Sequence, residues 1–258
     1  MSELTIGHFY PDLLNLYGDR GNVLALYRRA TLRGIKTEVR SISVGDDLKG
    51  DEVDIAFLGG GQDMEQNIMV NDLVNVKGPV IKRMIEDGVV FLCICGGYQM
   101  LGRYYKEITG YTLNGLGFLD LYTEGRKDRF INDTVYEFTG DDGRTHVIAG
   151  FENHSGRTYF GNGEDGLKKV KPFMKVVTGH GNNGEDGFEG AVYKNTFCTY
   201  SHGSLLPKNP EITDMLLLRA LKRRYGEDYE LPPLDDSAEQ KAKAQALDYI
   251  KNGKEQMI

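Results

Sequence analysis

Between Val89 and Gly102 the chain reads V-V-F-L-C-I-C-G-G-Y-Q-M-L-G, an apolar strand that meets a cysteine, two glycines and a helix-like segment. This stretch limits the fold more than any other. A reactive side chain on a sharp strand-to-helix turn needs neighbours without a Cβ, so that the turn can close and the helix can approach the sheet. Gly96 and Gly97 meet that need. The helix that follows would aim its N-terminal amides and positive dipole end at Cys95, an environment that favours a thiolate and can hold a developing oxyanion. Cys95 is the candidate nucleophile.

Cys93 lies two residues earlier, inside the apolar run, and Cys198 sits in T-F-C-T-Y. Free cysteine is among the most often buried residue types, so both read as small core side chains. A C-x-C pair without a second Cys or His pair at zinc spacing is no metal motif, and no metal site is expected. No apolar run approaches the roughly 18 residues of a membrane span, and M-S-E-L-T-I-G-H-F-Y lacks the features of a signal peptide. With three cysteines, one of them reactive, the expected compartment is the reducing cytoplasm. The formal charge of −7 argues against a nucleic-acid surface and against docking on anionic lipid.

The first half alternates strand-like and helix-like segments, the pattern of a parallel sheet flanked by helices. Strands are expected over Leu4 to Phe9, Thr37 to Ser41 and Val53 to Leu58, the last running into Gly59-Gly60-Gly61. Helices are expected over Gly21 to Arg33, Gln62 to Val74 and Pro79 to Asp87. Ligands in such sheets bind at the carboxyl ends of the strands, where both the triple glycine and the cysteine turn fall. The second half carries short β-branched runs. Val135 to Phe138 and His146 to Phe151 read as a hairpin, Phe188 to Lys194 and Thr196 to Ser201 as strands, and Glu211 to Tyr225 as a helix. Gly179 to Gly187 is too rich in glycine for regular structure. After Gly226 the composition shifts, so residues 1–225 form one domain and 226–258 a tail, whose thin apolar face (Ala242, Ala246, Leu247, Ile250) suggests a weakly docked helix.

A thiolate needs a base, and His202 is the best placed of five histidines because it follows the strand-like T-F-C-T-Y-S and precedes Gly203. His154, in E-N-H-S-G-R, and His180 are rivals as ligand contacts. C-G-G-Y-Q-M-L-G with a later Y-S-H-G resembles the class I glutamine amidotransferases, which have a flavodoxin-like fold, in the branch shared with cobyric acid synthases. Y-G-D-R-G-N at 17–22, G-G-G-Q-D-M-E-Q at 59–66, F-E-N-H-S-G-R-T at 151–158 and G-N-N-G-E-D-G-F-E-G at 181–190 narrow the resemblance to the glutaminase subunits of lipid II isoglutaminyl synthases.

The resemblance implies that Cys95 attacks the side-chain amide of L-glutamine and that His202 protonates the departing ammonia and then activates water. It implies an oxyanion hole from Gly96 and the Gly60-Gly61 loop, support of the turn or of the substrate by Gln99, and an arginine that anchors glutamine, matched by Arg129 in G-R-K-D-R-F-I-N-D. The usual triad has a glutamate two residues after the histidine; here that position is Ser204, which leaves the third member open. Nor is there a G-x-x-x-x-G-K-[ST] phosphate loop. No cofactor is therefore expected in this chain. ATP and Mg would belong to a Mur-ligase-like (MurT-type) partner in a heterodimer, which would meet lipid II and amidate the D-glutamate α-carboxylate of its stem peptide. Two other readings remain: a stand-alone cysteine hydrolase of γ-glutamyl compounds, and a non-catalytic binding module of the same fold.

Overall fold

The computed structural model describes residues 2–15, 18–61, 68–163 and 166–253. Tyr17, the segment Gln62 to Gln66 of the triple-glycine stretch, with the start of the helix expected there, and the last residues of the tail lie outside them. Strand β1 (Glu3–Phe9) leads through helix α1 (Arg20–Leu32) to β2 (Lys36–Ile42) and β3 (Ile55–Leu58). A π-helical turn, Asp72–Lys77, runs into α2 (Gly78–Glu86), which precedes β4 (Val90–Ile94) and the short α3 (Gly96–Leu101). Strands β5 (Tyr104–Lys106), β6 (Thr112–Asn114), β7 (Leu121–Thr139), β8 (Thr145–Phe160), β9 (Met174–Thr178) and β10 (Phe188–Glu189) follow. Then come β11 (Ala191–Tyr193), β12 (Thr196–Thr199), β13 (Ser201–His202), α4 (Leu205–Lys208), α5 (Pro210–Tyr225) and α6 (Ser237–Gly253).

Six strands form the central sheet in the order β11-β12-β4-β3-β1-β2, parallel throughout except for β11 at one edge. Every residue of β3, β4 and β12 is buried, as a parallel sheet covered on both faces requires. The α/β architecture expected from the alternating segments is the one observed. Cys93 and Cys198 are register partners in this sheet, both fully buried, and burial pushes the Cys198 thiol up, as suits an inert core residue.

The second sheet is antiparallel apart from one short parallel pairing and is built on a long β7–β8 ribbon. The ribbon begins at Leu121, far upstream of the expected Val135, because the ladder to β8 pairs Leu121 to Gly125 and resumes at Phe130, on either side of the polar residues 126–129 that break the apolar pattern. The register shifts between Gly125 and Phe130, a bulge that contains Arg129. Two expected strands are each divided between the sheets. The chain leaves the ribbon sheet after β10 and joins the central sheet at β11, then leaves the central sheet after β12 and pairs β13 with β8. These crossings bring the ribbon over the carboxyl ends of the parallel strands.

The tail helix exists but is fastened differently from the expectation. Its apolar face is indeed thin, and ion pairs hold it instead: Arg29 bonds Asp214 through both oxygens at 2.6 and 2.7 Å and Asp236 at 2.7 Å, while the buried Lys243 pairs with Glu211. Arg33 adds a further bond to Asp214 at 2.6 Å. Removing one member of such a group leaves the other charges uncompensated. Arg29→Met should therefore cost about 2 kcal/mol in chemical denaturation and speed amide exchange across Ser237–Gly253 more than in the central sheet. Equal protection of the tail in both proteins would count against the clamp.

Candidate active site

Cys95 sits at the end of β4 with φ 48° and ψ −99°, outside the regions that L residues favour. Backbone bonds fix this turn: the Cys95 N–H donates to the Thr199 carbonyl at 2.9 Å, and the Gly97 N–H to the Gly59 carbonyl at 3.1 Å. A Cβ on Gly97 would lie 2.7 Å from both Cβ and the carbonyl oxygen of Leu58, so only glycine lets α3 approach β3 this closely. The thiol is 8% exposed.

His202 arrives from β13, fully buried. Its Nδ1 lies 3.4 Å from Oδ1 of Asp19, itself fully buried in the loop before α1. Burial alone would push the imidazole down, but the negative charge of Cys95 and the carboxylate of Asp19, with their hydrogen bonds, lift its pKa to about 10. Asp19 thus takes the position left open by Ser204. Serine is not idle there: its hydroxyl donates to the Gly18 carbonyl at 2.6 Å and holds the loop that carries Asp19. The sequence signal for Asp19 was its place in Y-G-D-R-G-N, but nothing local ties that loop to a histidine so far downstream.

The triple-glycine loop closes the site. A Cβ on Gly60 would stand 2.7 Å from the His202 ring and 3.5 Å from the Cys95 Cβ, which explains the residue type. The Gly60 N–H donates to Asp19 Oδ2 at 2.8 Å, so in this geometry it clamps the carboxylate and is not open to an oxyanion, contrary to the expectation for it. Gly61 follows on the same loop, and Gly96 begins α3, where the first N–H groups lack intrahelical acceptors.

Gln99 enters a buried chain: its Nε2 donates to the Tyr200 hydroxyl at 3.2 Å, which lies 2.6 Å from Thr158 Oγ1, in turn 2.7 Å from Thr123 Oγ1. These bonds tie α3 to the second sheet. Arg129 is exposed on the ribbon bulge, with Nε and Nη2 donating to the side chain and backbone of Asn153. The site therefore brings together a strained cysteine, a buried histidine, a buried carboxylate and a small-residue loop, a set of groups suited to acyl transfer through a thioester.

Comparison with known proteins agrees. Residues 5–210 match the CobB/CobQ-like glutamine amidotransferase domain. The chain is 46% identical over 248 residues to the lipid II isoglutaminyl synthase (glutamine-hydrolyzing) subunit GatD of Staphylococcus aureus, covering 96% of each. It is 42% identical over 235 residues to the subunit of the same name from Streptococcus pneumoniae, covering 91% of this chain and 86% of the relative. The fold is shared with the structure of PurLQS from Thermotoga maritima, at a TM-score of 0.54 and 16% identity over 86% of this chain and 96% of that one.

Asp19→Asn removes one of the two charges that hold His202 protonated, so the imidazole pKa falls and the alkaline limb of the glutamine kcat/KM profile moves to lower pH. The turnover number should drop by roughly 10²- to 10⁴-fold. A variant with unchanged rate and profile would show that Asp19 does not orient the histidine.

Proposed function

The chain belongs to the CobB/CobQ-like glutamine amidotransferase family, and from that premise we propose that it is the glutamine-hydrolysing subunit of a lipid II isoglutaminyl synthase. The observation that carries the reading is a strained cysteine beside a buried histidine whose charge is sustained by that cysteine and by Asp19. The sulfur of Cys95 adds to the side-chain carbonyl carbon of glutamine, and the oxyanion that forms is held by the N–H groups of Gly96 and Gly61. His202 gives its proton to the amide nitrogen, the C–N bond breaks, and ammonia leaves behind a glutamyl thioester. Water then loses a proton to His202 and attacks the thioester, which releases glutamate and returns the thiol. Asp19 keeps the imidazole in one orientation through both halves of the cycle. Arg129, a planar fork suited to a carboxylate, holds the α-carboxylate of glutamine.

Ammonia is a product here and a reactant elsewhere. Amidating a carboxylate requires its activation, and the sequence holds no phosphate loop for ATP. The second half of the reaction therefore falls to a Mur-ligase-like, MurT-type subunit that binds ATP and Mg, meets lipid II and activates the D-glutamate α-carboxylate in its stem peptide. The two chains would work as a heterodimer in the cytoplasm. Among the described residues no helix is long and apolar enough to cross a membrane, so contact with the lipid substrate is assigned to the partner.

Ammonia release from L-glutamine by the heterodimer should fall by at least about 10³-fold in Cys95→Ser. Added ammonium chloride should restore ATP-dependent amidation of lipid II by the same variant complex. Absence of Cys95-dependent release would leave only the binding-module reading, and ATP-dependent amidation by the isolated chain would overturn the division of labour.

A further inference from the structure

His154 plays no part in the chemistry above, yet it is buried on the strand that pairs with the one carrying Arg129, and it stacks on Tyr200, two residues before His202. It lies on β8, 2% exposed, and its ring is fixed by three contacts. One face stacks on Tyr200, with centroids 3.7 Å apart and planes 6° from parallel, and Phe130 meets it edge-on at 5.6 Å. Its Nδ1 is 2.7 Å from the carbonyl oxygen of Gly156. A carbonyl only accepts, so Nδ1 carries the proton, and in a neutral ring the distal Nε2 presents a lone pair. The ring is neutral: burial pushes its pKa down to about 3, with the charges of Arg157, His202 and Arg129 acting in the same direction.

Nε2 is buried and has no hydrogen-bond partner among the described residues. Leaving such an atom unsatisfied costs about 1–3 kcal/mol, so its retention asks for a ligand. The surroundings say which one. Asn153, the preceding residue, holds Arg129, the proposed anchor for the α-carboxylate. Tyr200, under the ring, lies within the field of Cys95, which raises its pKa alongside burial. His154 therefore neighbours both groups: its ring feels the charge of Arg129, and it stacks on Tyr200, which the charge of Cys95 reaches. In glutamine the ammonium and carboxylate share one carbon, so an acceptor for the ammonium must lie beside the carboxylate anchor. The charge of Arg157, which would oppose a cation here, is answered by Asp128 at 2.8 Å.

We propose that Nε2 of His154 accepts a hydrogen bond from the α-ammonium group of glutamine and so selects an α-amino acid over a simple amide. This rests on the glutaminase reading and on Arg129 as its carboxylate anchor. The test compares L-glutamine with glutaramate, the same molecule without its α-amino group, by ammonia release from the complex with the synthetase subunit. The wild type should favour glutamine by about 100-fold or more in kcat/KM, because a site built around a polar contact rejects the analogue that lacks it. His154→Phe keeps a stacking ring but loses the acceptor. Its kcat/KM for glutamine should fall about 30-fold, mostly through KM, while that for glutaramate stays level. His154→Gln, whose side-chain carbonyl can accept, should recover part of the preference, and it carries the test alone if the Phe variant does not fold.

Equal losses on both substrates would make His154 merely structural, and an unchanged preference would likewise overturn the proposal. In either case Cys95-dependent hydrolysis by the wild type would leave the glutaminase reading standing. Absence of that hydrolysis would remove the premise and the proposal with it.

Discussion

The site depends on one buried carboxylate. Asp19 receives the Gly60 amide on one oxygen and faces His202 with the other, so the segments that follow β1 and β3 and the strand β13 converge on a single side chain. A lone carboxylate this deep would be expelled from its charged form by the cost of desolvation. Here it is paired with an imidazole whose own charge is raised by the same contact, and it accepts a backbone bond besides. That contact draws a cysteine, a histidine and a glycine loop into one buried space.

Around this centre the second sheet acts as a wall. Its ribbon could not be placed over the strand ends by loops alone. The chain crosses from one sheet to the other twice, between β10 and β11 and again between β12 and β13, and the second crossing delivers Tyr200 and His202, two residues apart. Gln99 then stitches the nucleophile's helix to that wall through Tyr200 and Thr158. Three of the four non-glycine residues with positive φ among those described, Tyr10, Cys95 and Ser204, lie in the segments that follow β1, β4 and β13.

Much of this was legible in the sequence where the information is local. The apolar run before Cys95, the two glycines after it and the triple glycine after β3 each encode a short piece of backbone, and those pieces lie where the sheet rules put them. His202 was readable as a strand-end histidine, though the strand that bears it belongs to the other sheet. The ribbon was not readable over its full length, because R-K-D-R breaks the apolar alternation and lies in a bulge, while the ladder to β8 that makes one strand of its two sides is formed by residues far apart in sequence. Asp19 was not readable as the histidine's partner either. Its identity depends on a contact across most of the chain, and the absence of glutamate at position 204 said only that some group must come from elsewhere.

Helix α1 starts directly after Asp19, and near its far end Arg29 grips both Asp214 of α5 and Asp236 at the root of the tail. The ten residue steps from Asp19 to Arg29 span about 15 Å along the helix. A rod of that length does not stretch. It behaves as a strut, with the orienting carboxylate mounted at one end and the tail's mooring at the other. The far side of the protein is therefore mechanically in series with the catalytic histidine, although no residue there comes near a reacting atom.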